Sequence, residues 1–260
     1  LRTAPPTALF GIAVVLTYIL VAIFAPWLAP FGESEIVAGP YAPRSGDFLL
    51  GTDQVGRDML SRLIYGARNT MGVAFVTTVL AFLVGGFLGL LAASASAWID
   101  QGLSRLVDVL MAIPSLIFKL LLLTIFGTSL INMILIIALI DATRVYRLSR
   151  SVAMNIVVMD YIEAARLRGE RLPRVIWREI LPNATAPLLA EFGLRFCFVF
   201  LAIAALSFLG LGIQPPAADW GSMVRENAAL ISFGDLTPLL PAAAIGLLTV
   251  SVNFIVDRML

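Results

Sequence analysis

Residues 70–98 read TMGVAFVTTVLAFLVGGFLGLLAASASAW, a run that contains no charged side chain. A helix that crosses a bilayer needs about 20 consecutive, predominantly apolar residues, and this run is longer than that. Five further segments are apolar enough to be candidates, at residues 7–28, 103–126, 130–145, 186–211 and 236–256. The sequence therefore predicts an all-α polytopic membrane protein with six transmembrane helices.

The composition supports a membrane location. The chain has 260 residues, of which 60% are hydrophobic and 13% are charged. Soluble domains carry about 25% charged residues, so this chain lacks the charges that would cover a water-exposed surface. Its sequence contains no histidine, which excludes Ser-His-Asp nucleophilic sites and HExxH metal sites, and its single cysteine, Cys197, excludes an internal disulfide. We therefore expect no catalytic residue, no metal site and no bound cofactor in this chain.

The arginines predict the orientation of the helices, because the loops of a membrane protein that face the cytoplasm carry an excess of Lys and Arg. The loop at residues 29–69 balances its arginines with acidic side chains. The region between residues 144 and 178 is strongly basic and contains Arg144, Arg147, Arg150, Arg166, Arg168, Arg171, Arg174 and Arg178. Six spans place the two regions on opposite sides of the membrane. We therefore expect the basic region and both termini to lie in the cytoplasm.

The predicted cytoplasmic loop, residues 159–183, reads MDYIEAARLRGERLPRVIWREILPN. Asp160 and Glu163 have the spacing of a capping box, with Asp in place of Ser or Thr, and this spacing predicts the start of a short helix. Gly169 is suited to end that helix in a left-handed cap.

A second short helix is predicted after the first. Pro173 is suited to its first turn, and we expect Pro182 to limit it. Two interpretations of this helix pair remain open from the residues alone: its arginines anchor the loop on the cytoplasmic side, or its surface is approached by another protein. Binding to DNA is a poor interpretation, because a short loop between two spans has little freedom to enter a groove.

The loop resembles the EAA loop of bacterial ABC-importer permeases in Glu163-Ala164-Ala165, in Gly169 and in Ile180-Leu181-Pro182. In that family the loop holds the coupling helix, which docks into a cleft of the cytoplasmic ATPase subunit. The resemblance implies that Glu163, Ala164, Ala165 and Gly169 couple the membrane helices to ATP-driven closure.

Two further blocks resemble the second permease of the dipeptide, oligopeptide and nickel importers. Residues 51–68 contain the pattern GTDxxGRDxxSRxxxGAR, which would otherwise indicate only the amphipathic start of a helix. Residues 206–221 read LSFLGLGIQPPAADWG, which would otherwise indicate a helix end followed by a proline-containing loop at the outer interface. The three blocks occur in the same order as in that family and cover nearly the whole chain. The resemblance implies the type I ABC-importer permease fold.

The resemblance also implies a function and a set of partners. The chain would be a permease subunit, without enzymatic activity, of an ATP-driven importer of peptides or of peptide-like or chelated small solutes across the bacterial inner membrane. Its partners would be a homologous second permease in a heterodimer, two cytoplasmic ATPase subunits, an extracytoplasmic solute-binding protein and membrane lipid, but not nucleic acid. The sequence contains no GxxxxGK[ST] phosphate loop, so we expect ATP and magnesium to be bound by the partner ATPases.

The expected division of the chain follows from these blocks. Residues 1–69 would hold the first transmembrane helix and an extracytoplasmic loop. Residues 70–260 would form a five-helix permease core that includes the cytoplasmic EAA loop at residues 155–183.

Charged residues inside predicted spans are the candidates for a solute pathway, because such residues usually face a cavity or a partner. Lys119 either extends its side chain to the outer headgroups or lines the outer part of the pathway, where it would suit a solute carboxylate. Glu191 and Arg195 are four residues apart and are predicted to pair along one helix face, directed at the partner permease or the pathway. Asp141 is predicted to pair with Arg144 near the inner face.

Two other classes of function were compared with the importer. A membrane-embedded enzyme is disfavoured, since histidine and a GxSxG elbow are missing from the sequence. A proton-coupled secondary transporter could use Lys119, Glu191 and Asp141 as proton carriers. However, one large basic loop and no inverted repeat fit that class poorly.

Overall fold

The computed structural model of the protein describes residues 6–258. This part of the chain contains ten α-helices: α1 Pro6–Leu28, α2 Met59–Ser94, α3 Ala97–Met111, α4 Ser115–Phe126, α5 Leu130–Val157, α6 Asp160–Leu167, α7 Leu172–Val175, α8 Leu181–Phe208, α9 Trp220–Asn227 and α10 Leu239–Val256. A π-helical turn, Ile176–Ile180, joins α7 to α8, and a 3-10 helix, Ala228–Phe233, follows α9. Extended pairing among residues 6–258 is limited to two isolated bridges in the loop before α2. The all-α class is confirmed.

The number of membrane spans differs from the predicted count. Four segments are long and apolar enough to cross a membrane, namely α1, α2, α10 and the continuous helical segment Leu172–Phe208. Helices α3 and α4 pass the same test only as a pair. Helix α5 has 28 residues, but Asp141, Arg144 and Arg147 interrupt its apolar run. By length and composition residues 6–258 therefore contain four spans, or five when the bent pair counts as one, and the predicted six are reached only with α5.

The third predicted span is broken at Pro114. Helices α3 and α4 are bent by 85° relative to each other, so residues 103–126 do not form the single transmembrane helix that the sequence predicted. Proline has no backbone N–H and disfavours the helical conformation of the residue before it, which explains a break at this position. The break leaves α4 with 12 residues, about half of a membrane span.

The second span begins at Met59 instead of at residue 70. Asp58 caps it, because its carboxylate accepts hydrogen bonds from the backbone N–H of Ser61 at 2.8 Å and from the Ser61 hydroxyl at 2.6 Å. The domain boundary expected at residue 69 therefore lies inside α2.

Close packing of α2 against α5 forms the centre of the bundle. Gly85 faces the backbone carbonyl of Ala142, and Gly89 faces that of Tyr146, so closely that a Cβ atom at either glycine would collide with the carbonyl. Small residues four positions apart allow two membrane helices to approach to this distance. These small residues of α2 are thus used for packing within the chain.

Pro182 does not end a helix, contrary to the prediction. The chain continues from α7 through the π-helical turn into α8, and Pro182 lies near the start of α8. Proline has no backbone N–H, so one helical hydrogen bond is lost at Pro182, and the wider π-helical turn accommodates this loss. The cytoplasmic helix pair predicted from the sequence is therefore one short helix, α6, followed by an extension of the next span.

Candidate functional site

The residues predicted to couple to an ATPase lie on α6 and on the turn that follows it. One face of α6 is buried, since Ile162 and Ala165 pack into an apolar cluster with the end of α5 and the start of α8. Glu163 and Ala164 are exposed on the opposite face. Gly169 has a φ of +77°, the left-handed conformation that favours glycine after a helix. Helix α6 is therefore fixed to the bundle by one side and free on the other.

The start of α6 is close to the predicted position, but the capping box is not formed. Met159 is the N-cap residue, and its side chain makes no capping hydrogen bond. Asp160 and Glu163 both lie in the first turn, where a negative charge is favoured by the partial positive charge of the helix N-terminus.

Large exposed apolar side chains occur on α6 and in the residues before and after it. Leu167 is 82% exposed and Trp177 is 62% exposed, and Val158 and Tyr161 are also exposed. We call these four residues, together with Glu163 and Ala164, the loop surface. Several exposed apolar side chains on one short loop are typical of a site of contact with another protein.

The charged residues predicted inside the spans form one cluster, which we call the four-charge cluster: Lys119 on α4, Asp141 on α5, and Glu191 and Arg195 on α8. Lys119 Nζ lies 2.7 Å from Asp141 Oδ2. Arg195 Nη1 lies 3.6 Å from Asp141 Oδ1, and the same guanidinium also pairs with Glu191. The side chains are 4–14% exposed, and their charges balance. The cluster therefore lies inside the bundle as a neutral network.

The contacts within this cluster can be compared with the contacts that the sequence predicted. Lys119 is 3% exposed and does not extend to the headgroup region. Asp141 pairs with Lys119 and Arg195, and the predicted pair of Asp141 with Arg144 is wrong, because α4 and α8 bring their basic groups to Asp141. The predicted pair of Glu191 with Arg195 is confirmed.

A second charged network, which sequence analysis did not predict, joins the block before α2 to the loop after α8. Asp53 Oδ2 lies 2.7 Å from Arg57 Nε and 3.4 Å from Arg62 Nε. Glu226 of α9 lies 3.4 Å from Arg57 Nη2 and 3.7 Å from Arg62 Nη2. We call these four residues the outer network, because the sequence predicts that their segments lie on the extracytoplasmic side. The four-residue spacing of Asp53 and Arg57 is a sequence signal for their pairing, but nothing in a single sequence links these residues to Glu226.

The same two segments are joined by hydrogen bonds from neutral groups. Trp220 donates its indole N–H to the carbonyl oxygen of Leu63 at 2.9 Å. The Thr70 hydroxyl donates to Asp219 Oδ1 at 3.0 Å, and the backbone N–H of Ser222 donates to Asp219 Oδ2 at 2.8 Å. Burial raises the pKa of Asp219 above its ordinary value, and these hydrogen bonds offset only part of that rise. The sequence blocks at residues 51–68 and 206–221 thus form one folded unit.

Comparison with known proteins identifies the family. Residues 85–260 match the family described as "Binding-protein-dependent transport system inner membrane component", and residues 5–43 match the "N-terminal TM domain of oligopeptide transport permease C". The chain is 37% identical over 257 residues to the di/tripeptide transport system permease protein DppC of Pseudomonas aeruginosa (strain UCBPP-PA14), covering 96% of this chain and 85% of that protein.

Two other relatives are similar over most of their length. The chain is 36% identical to the dipeptide transport system permease protein DppC of Alkalihalophilus pseudofirmus, covering 96% of this chain and 83% of the relative. It is also 36% identical to the peptide transport system permease protein SapC of Escherichia coli O6:H1, covering 90% of this chain and 82% of the relative.

A solved structure has the same fold. It is described as "Crystal structure of an amino acid ABC transporter with histidines", and its similarity covers 76% of this chain and 92% of that one, with a TM-score of 0.56 and 21% identity. At this level of identity the likeness concerns the fold alone. The matches of sequence show that the chain belongs to the family of inner membrane components of binding-protein-dependent transport systems.

Proposed function

We propose that the chain is the permease subunit of an ATP-driven importer that moves peptides, or peptide-like or chelated small solutes, across the bacterial inner membrane. The observation that supports this most directly is the 37% identity to a di/tripeptide permease along nearly the whole chain. Membership of the family excludes the alternative function given above, a proton-coupled secondary transporter. The chain itself would catalyse no reaction and hold no cofactor.

The partners follow from the same proposal. A homologous second permease would complete the pathway as a heterodimer, and two cytoplasmic ATPase subunits would bind ATP and magnesium. An extracytoplasmic binding protein would deliver the solute. The missing phosphate loop in the sequence supports ATP binding on another chain, and the exposed loop surface supports docking of a protein partner.

The coupling role is proposed for α6. Glu163 and Ala164 would contact the ATPase, since they lie on its exposed face. Ala165 would transmit the movement, because its side chain is packed against the helices that continue into the membrane. Gly169 would allow the sharp turn at the end of α6, as its positive φ suggests. A short helix presented by one face is suited to bind in a groove of a partner.

The proposed orientation places α6, the basic residues around it and both termini in the cytoplasm. The outer network and the loop between α1 and α2 would then lie outside the membrane, on the side where a binding protein docks. The N-terminal unit would consist of α1 and that loop, and the permease core of the remaining helices. Lys119, Glu191 and Arg195 would line the solute pathway when the bundle opens.

Affinity purification of the tagged full chain in mild detergent tests the proposal. We expect a second multi-span permease and an ATPase with a phosphate loop to co-purify, and we expect the reconstituted complex to take up peptide only when ATP is supplied. Recovery of this chain alone, together with solute uptake that does not depend on ATP, would contradict it. A variant with Glu163→Arg should retain the second permease and lose part of the ATPase, which separates the coupling role from the identity of the complex.

A further inference from the structure

Helix α4 is held in the bundle by very few buried side chains. It has 12 residues, and the break at Pro114 separates it from α3. Lys119 and Leu123 are the only residues of α4 that are buried among those the structure describes. One of these two is charged, so the ion pair between Lys119 and Asp141 is a buried polar contact between α4 and α5, beside the apolar packing of Leu123 and of the partly buried side chains of α4.

A lysine is a poor choice if the position serves stability alone. A charged group inside a membrane helix is costly to insert, and such groups usually face a pathway or a partner. Replacement of a buried ion pair by apolar residues of similar volume is often neutral or stabilising. Apolar side chains at residues 119 and 141 together would therefore hold α4 against α5 about as well, and the charged pair requires another explanation.

The hydrogen bonding of the four-charge cluster is incomplete. Arg195 Nη1 is buried and has no hydrogen-bond partner, although it lies 3.6 Å from Asp141 Oδ1. Buried polar groups are nearly always satisfied, and exceptions often mark functional positions. Arg195 therefore has a nitrogen that could still bind a further polar group.

Separation of α4 from α5 would divide the cluster into two sites of opposite charge. Lys119 would leave with α4 as a free cation. Asp141, Glu191 and Arg195 would remain together with one negative charge in excess. Each charge would then be buried without its partner, which is unfavourable unless other charges replace the lost ones.

We propose that the ion pair of Lys119 and Asp141 opens when a zwitterionic solute binds and its charged groups replace the two members of the pair. We call this ion pair the latch. The solute carboxylate binds Lys119 and the solute ammonium binds Asp141 as α4 moves away from α5. A peptide with free termini carries both groups and can replace both halves of the broken pair. This inference rests on the proposed function, because it requires that solute passes through the chain.

The first experiment removes both charges and keeps the packing. The complete transporter, with its binding protein and ATPases, is reconstituted in vesicles, and ATP-dependent uptake of radiolabelled alanyl-alanine is measured. We expect the double variant Lys119→Met/Asp141→Asn to assemble with its partners. Its uptake should fall by about tenfold or more, because the solute loses its charge-assisted hydrogen bonds to both residues. The control is Arg147→Met/Asp108→Asn, which removes an exposed ion pair between α5 and α3 and should leave uptake unchanged.

The second experiment asks which solute group each residue binds. Uptake of alanyl-alanine is compared with uptake of its C-terminal amide and its N-acetyl form, each as the ratio of variant to wild type, so that the selectivity of the binding protein cancels. Lys119→Met should lower the ratio for alanyl-alanine about tenfold more than the ratio for the amide. Asp141→Asn should show the same difference between alanyl-alanine and the N-acetyl form.

The outcomes separate this inference from the function on which it rests. Wild-type vesicles without ATP-dependent uptake would overturn the proposed function and the latch together. Wild-type uptake with a fully active double variant would overturn the latch alone. A double variant that fails to assemble would also overturn it, because the pair would then be structural, as would equal ratios for all three solutes.

Discussion

The indole ring of Trp220 lies directly against Gly66. A Cβ atom on Gly66 would fall 2.5 Å from Cδ1 of the ring, and the indole N–H donates to the Leu63 carbonyl oxygen at 2.9 Å. The two bonded residues are 157 positions apart in the chain. This contact therefore joins the first turns of α2 to the segment after α8, and glycine at residue 66 is what permits it.

Substitution of Gly66 should be destabilising. Gly66→Ala places a methyl group where the Trp220 ring lies, and overpacking of this kind costs about 1–3 kcal/mol. Thermal unfolding of the purified protein in detergent measures the effect. Gly72→Ala is the control, since a Cβ atom there meets open space and alanine favours the helix. Equal unfolding temperatures for the two variants would contradict the proposed contact.

The outer network should be far more sensitive than an exposed ion pair. Arg62→Met leaves Asp53 and Glu226 with Arg57 as their one remaining strong counter-ion in the network, and disruption of a buried network of this kind costs about 3–5 kcal/mol. Arg44→Met removes an exposed pair with Asp235 and should change stability by less than about 1 kcal/mol. Denaturant unfolding of both variants checks the difference, and similar losses would show that the network contributes little.

The loop surface should control attachment of the ATPase. Leu167→Asp places a charge where an exposed apolar side chain is proposed to contact the partner, and we expect about a tenfold weaker association, in line with the loss of an apolar anchor. Leu49→Asp is the control, because Leu49 is also an exposed apolar residue but lies in the loop before α2. Co-purification of the ATPase with each variant gives the measurement. An effect of similar size in both would argue against a specific surface.

Asp219 should make stability fall as pH rises. Because burial raises its pKa, the folded protein binds the proton on Asp219 more tightly than the unfolded chain does. Its stabilising contribution is therefore present below the ordinary pKa of about 4 and is lost as pH increases from there through the raised value. Asp219→Asn keeps a capping oxygen and should flatten this part of the curve of unfolding temperature against pH.

Asp235 should give the opposite dependence and serves as the control. Hydrogen bonds from the hydroxyl and the backbone N–H of Thr237 lower the pKa of Asp235. Its contribution is therefore present above the ordinary pKa and is lost as pH falls through the lowered value. Asp235→Asn should flatten the acidic side of the curve and leave the higher range unchanged. Identical curves for both variants would contradict the assigned directions.

Local pattern was sufficient for a large part of the fold. Apolar runs of sufficient length predicted α1, α2, α8 and α10, because the cost of placing unpaired backbone groups in lipid makes a helix the only structure such a run can adopt. The position of α6, the left-handed turn at Gly169 and the pair of Glu191 with Arg195 also depend on residues close in sequence, and each was predicted. The coupling role of α6 remains a prediction from resemblance.

Other features depend on contacts between distant segments, which a single sequence does not encode as a pattern. The sequence by itself determined the helical class, the family and the position of the exposed loop, since these follow from composition, periodicity and local motifs. Only the tertiary structure decided that Asp141 pairs with Lys119 instead of Arg144, and that Glu226 completes a network with Arg57 and Arg62. In a low-dielectric interior a charge must find a partner, but which partner it finds is decided by how the helices pack.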